Sequence, residues 1–197
     1  MEIPQYIGYN IDMLISFTGA QCTGKSTLLS RMLSDSKFRK CTFIKEVTRK
    51  VAAQGIKINA DGDNITQLFI LSEHLHNHYL PGCVVLDRCI LDGYIYTKWL
   101  NQNGKVDDWV LDHATKLHDI LVDKLDVIFY TNPIDVDLVS DGQRSVDVKF
   151  RDDIINMYGT YFDSHPDVYN KTVTLSGTVD QRMKQILNTF KQHEQVR

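Results

Sequence analysis

Eight consecutive residues constrain this chain more than any others: Gly19-Ala20-Gln21-Cys22-Thr23-Gly24-Lys25-Ser26 reads as a complete G-x-x-x-x-G-K-[ST] loop. The pattern has meaning only between a strand and a helix, and both flanks are present. Met13 to Thr18 is a short β-prone apolar run, and Thr27 to Leu33 continues from Lys25 with helical spacing. In that setting the glycines let backbone N–H groups turn inward around an anion, and the helix N-terminus adds partial positive charge. Gly19, Gln21, Cys22, Thr23, Gly24, Lys25, Ser26 and Thr27 are therefore the candidate cradle for a nucleotide's phosphates. Lys25 can reach the β- and γ-phosphates, and Ser26 offers a hydroxyl to Mg²⁺. The competing explanation, a chance match in a glycine turn, must account for the lysine, the serine and both flanks together.

Strand signals recur along the chain, each followed by a helical pattern. The strands are expected at 13–18, 41–45, 83–87, 126–131 and 171–175, and the helices near 46–54, 64–80, 90–102, 105–123, 146–163 and 178–192. This alternation implies an α/β fold with a parallel sheet covered by helices on both faces. Nearly continuous apolar strands such as Cys83-Val84-Val85-Leu86 fit that double burial. Two helix starts read as capping boxes, Asn64 to Gln67 and Thr178 to Gln181. With no internal repeat or long linker in 197 residues, one domain spanning 1–197 is the economical reading.

A formal net charge of −3 argues against a broad sequence-blind nucleic-acid surface. No apolar run approaches a membrane span of about 20 residues, and the acidic start Met-Glu-Ile-Pro-Gln is unlike a signal peptide. Cys22, Cys41, Cys83 and Cys89 lack metal-ligand spacing and are read as reduced thiols of a cytoplasmic protein, with Cys22 open to alkylation.

Four further sites narrow the chemistry. Asp87-Arg88 closes the third strand, so both side chains emerge where ligands bind in open α/β sheets. Asp87 can hold Mg²⁺, and Arg88 a phosphate; the bland alternative is a helix cap with a surface pair. Glu46 closes the second strand at the same edge, and Arg49 lies one turn further. Glu46 is placed to take an acceptor's proton, while Arg49, with Lys45 beside it, can hold an anionic part of the acceptor. A first-turn glutamate favoured by the helix dipole is the alternative. Asp141-Gly142-Gln143-Arg144, and Arg151 seven residues later, read as a lid over about 134–152. Its arginines would stabilise charge on a transferring phosphoryl group. Ser176-Gly177-Thr178 ends the fifth strand and either borders the nucleotide base or caps a helix. Tyr94, Tyr96 and Trp99 line an acceptor pocket or pack against the sheet, with Tyr94 the substrate-contacting candidate. His74 and His78 have zinc-compatible spacing but no third ligand, so a solvated helix face is expected.

The assembled motifs resemble the P-loop kinases grouped with ribosylnicotinamide kinases and deoxynucleoside kinases, and more distantly thymidylate and polynucleotide kinases. The resemblance runs from about Leu14 to Leu187. It rests on Gly19 to Thr27, Lys45 to Arg49, Val85 to Asp92, Asp141 to Arg144, and Leu175-Ser176-Gly177 before Gln181-Arg182. It implies a P-loop NTPase fold, a three-layer sandwich with a five-stranded parallel sheet in the order 2-3-1-4-5. It also implies phosphoryl transfer from ATP with Mg²⁺. On the same basis Glu46, Asp87-Arg88 and Arg144 take the roles of base, acidic-arginine pair and lid arginine. Two departures stand out: no Glu-Pro-Gly follows the second strand, and Cys89 follows Arg88 where Ser or Tyr is usual.

Three functions compete at this point. One is a kinase for a nucleoside, nucleotide or related hydroxyl compound. Another is a polynucleotide-directed kinase, drawing on the basic stretch Lys37, Arg39, Lys40, Lys45, Arg49 and Lys50. The third is a nucleotide-hydrolysing switch that controls a partner protein.

Overall fold

The computed structural model describes residues 12–133 and 148–196. Five strands form one parallel sheet in the order β2-β3-β1-β4-β5: β1 (Met13–Thr18), β2 (Thr42–Ile44), β3 (Cys83–Asp87), β4 (Val127–Thr131) and β5 (Thr172–Leu175). The helices are α1 (Lys25–Leu33), α2 (Val47–Ala52), α3 (Asn64–Asn77), α4 (Ile90–Gln102), α5 (Asp108–Leu121), α6 (Val148–Ser164), α7 (Pro166–Asn170) and α8 (Val179–Val196). The expected fold class and strand order are both observed. The short α7 is an addition: His165 breaks from α6, and Pro166 stands at the new helix's first turn, where its fixed φ costs nothing.

The pleat divides the strand side chains between two cores. Leu14, Val84, Leu86 and Ile128 face a core completed by α3 to α7, centred on Leu91, Ile95, Phe150 and Tyr158. Ile15, Phe17, Val85 and Phe129 face the other, closed by Leu28 and Met32 of α1 and by Met183, Ile186 and Phe190 of α8. Both faces are covered, which is why these strands read as unbroken apolar runs. β1 lies centrally, paired with β3 on one side and β4 on the other. The loop after β1 therefore opens at the point where the strand order reverses.

Three expectations are corrected. The cap of α3 is Asp63, whose side chain accepts from Thr66 N, one residue earlier than the expected box. The second box is as expected: Thr178 N donates to Gln181 Oε1 at 2.8 Å and Gln181 N to Thr178 Oγ1 at 3.3 Å. The cysteines are not all thiols, since Cys41 and Cys83 form a disulfide with a Cα–Cα distance of 4.5 Å. The cause is register: Thr42 opposes Val84 across β2 and β3, so the residues one step earlier also stand opposite. Cys22 is buried, not open to reagents. The third correction concerns His74 and His78, which are buried at 2% and 5% exposure while His76 points outward. Helix α3 runs beneath α2 and α4, so the i,i+4 face carrying both histidines turns inward. Among the described residues no cluster of three or more His, Cys, Asp or Glu could hold a metal ion, and no helix is long and apolar enough to cross a membrane.

Candidate active site

The phosphate loop is built on left-handed backbone at Gly19 (φ 128°), Cys22 (φ 56°) and Gly24 (φ 86°). Gly19 is required twice over, because a Cβ there would also stand 2.9 Å from Thr131 Oγ1. Gly24 caps α1, leaving the first N–H groups of the helix directed at the loop. Thr23 ties the loop to the neighbouring strand, its hydroxyl 2.6 Å from that of Thr131. Lys25 folds back into the loop, donating from Nζ to Ala20 O at 2.6 Å, Gly19 O at 3.0 Å and Thr23 Oγ1 at 3.1 Å. Burial, and then the positive charge of Arg88, brings its pKa down to about 7. Gln21 is buried beside it and accepts from the Tyr96 hydroxyl at 3.2 Å. Thr27 faces solvent on the first turn of α1.

Glu46, Asp87 and Arg88 meet at the carboxyl ends of β2 and β3. Arg88 has a left-handed backbone (φ 74°), an arrangement that costs a non-glycine residue about 1–2 kcal/mol. Its N–H donates to Phe17 O at 2.9 Å, and its side chain is anchored four ways. Nε donates to Glu46 Oε1 at 2.7 Å, and Nη1 to Asp92 Oδ1 at 2.8 Å, to Gly19 O at 3.1 Å and to the Tyr96 hydroxyl at 3.3 Å. Sequence reasoning reserved Arg88 for a phosphate; here it braces the site. Glu46 also accepts from Thr48 Oγ1 at 3.0 Å and from Arg49 Nε at 3.3 Å. Asp87 is buried, and its Oδ1 has no hydrogen-bond partner among the described residues. Burial, reinforced by the charge of Glu46, raises its pKa to about 6.

Two hollows border this cluster. A cleft holds Ser26, Lys45, Glu46, Arg49 and Asp87 together. A more enclosed, largely apolar cavity lies behind Arg88, with Gln67, His74 and Tyr96 in its wall. Tyr94 is not in that wall. It faces the opposite side of α4, its ring centroid 4.8 Å from His118 and 6.1 Å from Tyr161. Tyr96, two residues on, lines the cavity instead. Trp99 packs on Phe150 at 4.5 Å and donates to Asp153 Oδ2.

Three residues sit at this edge that carried no assigned role in the sequence. Asp92 accepts from Arg88, from the Thr18 and Tyr158 hydroxyls and from Cys89 N, all within 3.1 Å. Its sequence signals are its place at the end of the Val85 to Asp92 stretch and its spacing, four residues after Arg88 on a helix start. Tyr158 arrives from α6, too distant in sequence to foresee. Arg182, buried, donates to Thr23 O at 2.9 Å, Gly177 O at 3.0 Å and Asn132 O at 3.1 Å. It stitches the phosphate loop to the ends of β4 and β5, which is how Ser176 and Gly177 come beside that loop. Gly177 is left-handed at φ 86°. Arg151, on α6, donates to Pro133 O at 3.1 Å. Arg144, with Asp141 to Gln143 and most of the expected lid, lies outside the described residues.

A family model described as an AAA domain matches residues 14–182. No curated protein matches the chain in sequence. Among solved structures, deoxyadenosine kinase from M. mycoides with products dCMP and a flexible dCDP bound gives a TM-score of 0.68. Its identity is 17%, and the match covers 91% of this chain and 99% of that one. NadR protein in complex with NR gives 0.63 at 16% identity, covering 84% of this chain and 46% of that one. NadR with NAD and AMP-PNP gives 0.68 at 14% identity, covering 94% and 50%. This chain thus spans about half the length of NadR. At these identities the likeness is one of fold, and it bears out the resemblance read from the motifs.

Proposed function

The chain belongs to the AAA domain family, and on that footing we propose that it is a P-loop phosphotransferase acting on a small molecule. ATP, held with Mg²⁺ in the Gly19–Thr27 loop, gives its γ-phosphoryl group to a nucleoside, a nucleotide or a related hydroxyl compound. One juxtaposition carries this reading. Ser26, Glu46 and Asp87 share one cleft, and the Arg88 that grips Glu46 borders a second, more enclosed cavity. Donor phosphates and acceptor would meet across the Glu46–Arg88 pair.

The residues fit a divalent cation: Asp87 Oδ1 is buried without a hydrogen-bond partner among the described residues, and Ser26 lines the same cleft. Ser26 and Asp87 would hold Mg²⁺, which when bound offsets negative charge on the phosphates. Lys25 exchanges its loop carbonyls for phosphate oxygens. Glu46, oriented by Arg88, Thr48 and Arg49, takes the acceptor's proton. Arg88 acts through Glu46 and Asp92, holding the base in place. Arg49, half exposed and at the mouth of the cleft, suits an anionic part of the acceptor. Arg144 and Arg151 would complete charge stabilisation from the lid side, and Ser176 and Gly177 would border the nucleotide base. The cytoplasmic expectation rested on reduced thiols, and the Cys41–Cys83 bond argues against that ground, since cytosolic thiols are mostly reduced.

The polymer alternative rests on Lys37, Arg39, Lys40 and Lys45, all exposed, with Lys45 in the cleft. An ADP-coupled assay separates the classes. A kinase forms ADP in proportion to added acceptor, whereas a nucleotide-hydrolysing switch forms it at one rate whatever acceptor is present.

A further inference from the structure

Helix α3 walls the cavity behind Arg88 with two buried polar side chains that the proposed phosphoryl transfer does not use, Gln67 and His74. Gln67 is tied into the fold, its Oε1 2.9 Å from the Thr97 hydroxyl. His74 is not tied in the same way. Its Nδ1 is sealed and has no hydrogen-bond partner among the described residues. The opposite ring edge, Cδ2 and Nε2, lies along Gly93, another residue of the cavity wall. A methyl group added to Gly93 would stand 3.0 Å from Cδ2 and 3.6 Å from Nε2.

This asymmetry fixes the tautomer. A sealed N–H with no acceptor is costlier than a sealed lone pair with no donor. Nδ1 therefore carries the lone pair and Nε2 the proton, so the ring turns a donor toward the cavity. The ring is also neutral: burial, then the charges of His78 and Arg88, lowers its pKa to about 3.

Charge in the wall is already committed. Arg88 and Asp92, the charged residues lining the cavity, pair with each other at 2.8 Å. The other contacts of Asp92 are Thr18, Tyr158 and Cys89 N, and Arg88 also holds Glu46. A cationic ligand would be stripped of water here without gaining a counter-charge. The cavity measures about 30 Å³, room for a small group at the edge of a base and not for its ring. We propose that His74 reads that edge of the acceptor: its Nε2–H donates to a carbonyl oxygen of an uncharged nucleobase, and the cavity rejects a base with a fixed positive charge, such as a pyridinium. The proposal rests on the kinase reading above and sharpens its acceptor class.

Calorimetric titration of the whole chain with thymidine, cytidine, adenosine and nicotinamide riboside tests it, with phosphoryl transfer to each measured in parallel. At least one neutral nucleoside should bind about tenfold or more tightly than nicotinamide riboside. His74→Phe, which keeps a flat ring, should cost the neutral ligand about tenfold, as for one lost hydrogen bond in a closed site, and leave the cation unaffected. His74→Gln, which keeps an N–H donor, should retain most of the affinity. Equal weakening of both ligands by His74→Phe would assign the ring to packing and overturn the proposal. Preferred binding and phosphorylation of nicotinamide riboside would overturn it while leaving the kinase reading intact. Failure of every ligand to bind or accept phosphate would remove both. Should the variants not fold, long-range ¹⁵N–¹H spectra of the native chain remain decisive: a neutral Nε2–H tautomer from pH 5 to 8 supports the assignment, and an Nδ1–H or protonated ring overturns it.

Discussion

Replacing Glu46 by Gln separates chemistry from architecture at one position. The amide keeps the shape and one acceptor oxygen, and loses the charge that takes the proton. A positioned base contributes about 10²–10⁴-fold, or roughly 3–5 kcal/mol of barrier at about 1.4 kcal/mol per decade. The structural cost is smaller. Arg88 keeps Asp92 at 2.8 Å and Gly19 O at 3.1 Å, so it is not stranded. Its 2.7 Å bond to Glu46 becomes a charge-to-neutral hydrogen bond, a loss of about 1–2 kcal/mol. Stripping a buried ion of its only partner would cost about 3–5 kcal/mol. For a chain of this size the melting temperature should fall by roughly 2–8 °C, leaving the variant folded in the assay. The measurements are turnover at saturating ATP and acceptor, and ATP affinity by titration. Turnover should fall about 100-fold or more while ATP affinity stays within about threefold. A turnover loss under threefold would refute the assignment and pass the base role to Asp87, and ATP affinity falling in step with turnover would refute the separation of roles.

Lys25→Ala should abolish transfer and preserve the fold, by activity and circular dichroism. Because the pKa of Lys25 is lowered to about 7, nucleotide phosphates that restore its charge should take up roughly one proton at pH 8, read from calorimetry in buffers of different ionisation enthalpy. Asp87 has its folded pKa raised from 3.8 to about 6. Its stabilising contribution is therefore full below about pH 4 and lost as pH rises through about 6. Melts of the metal-free chain should show that decline, and Asp87→Asn should flatten it, while Mg²⁺-dependent turnover rises over the same interval. Asp92→Asn should destabilise by about 3 kcal/mol or more in denaturant titration, because a neutral amide would replace a buried carboxylate that accepts from four groups at once.

The phosphate loop and the alternation of strands with helices were legible because both depend on short-range patterns, a loop whose residues are consecutive and apolar runs of strand length; the strand order came only with the family resemblance. Glu46, Asp87 and Arg88 were legible as residues ending strands, since position in a parallel sheet dictates which edge they reach. Their division of labour was not. Only the geometry shows Arg88 turned inward to brace Glu46 rather than outward to a phosphate. Asp92, Tyr158 and Arg182 escaped because their partners lie up to 159 residues away in sequence. His74 and His78 were misjudged for a related reason. Helical spacing tells that two residues share a face, but the burial of that face follows from how α3 lies against α2 and α4. The Cys41–Cys83 bond depends likewise on register between strands 42 residues apart, which spacing alone does not encode.

Transfer of a γ-phosphoryl group to a monomeric acceptor is open to a direct assay. The direct measurement incubates the chain with γ-labelled ATP and Mg²⁺, offering nucleosides, nucleoside monophosphates, nicotinamide riboside and oligonucleotides in parallel at low and moderate salt. Label is expected on a free nucleoside or nucleotide, little altered by salt, and none with Lys25→Ala. Salt-sensitive label on the oligonucleotide alone, with the steep dependence expected when several phosphates are neutralised, would contradict it.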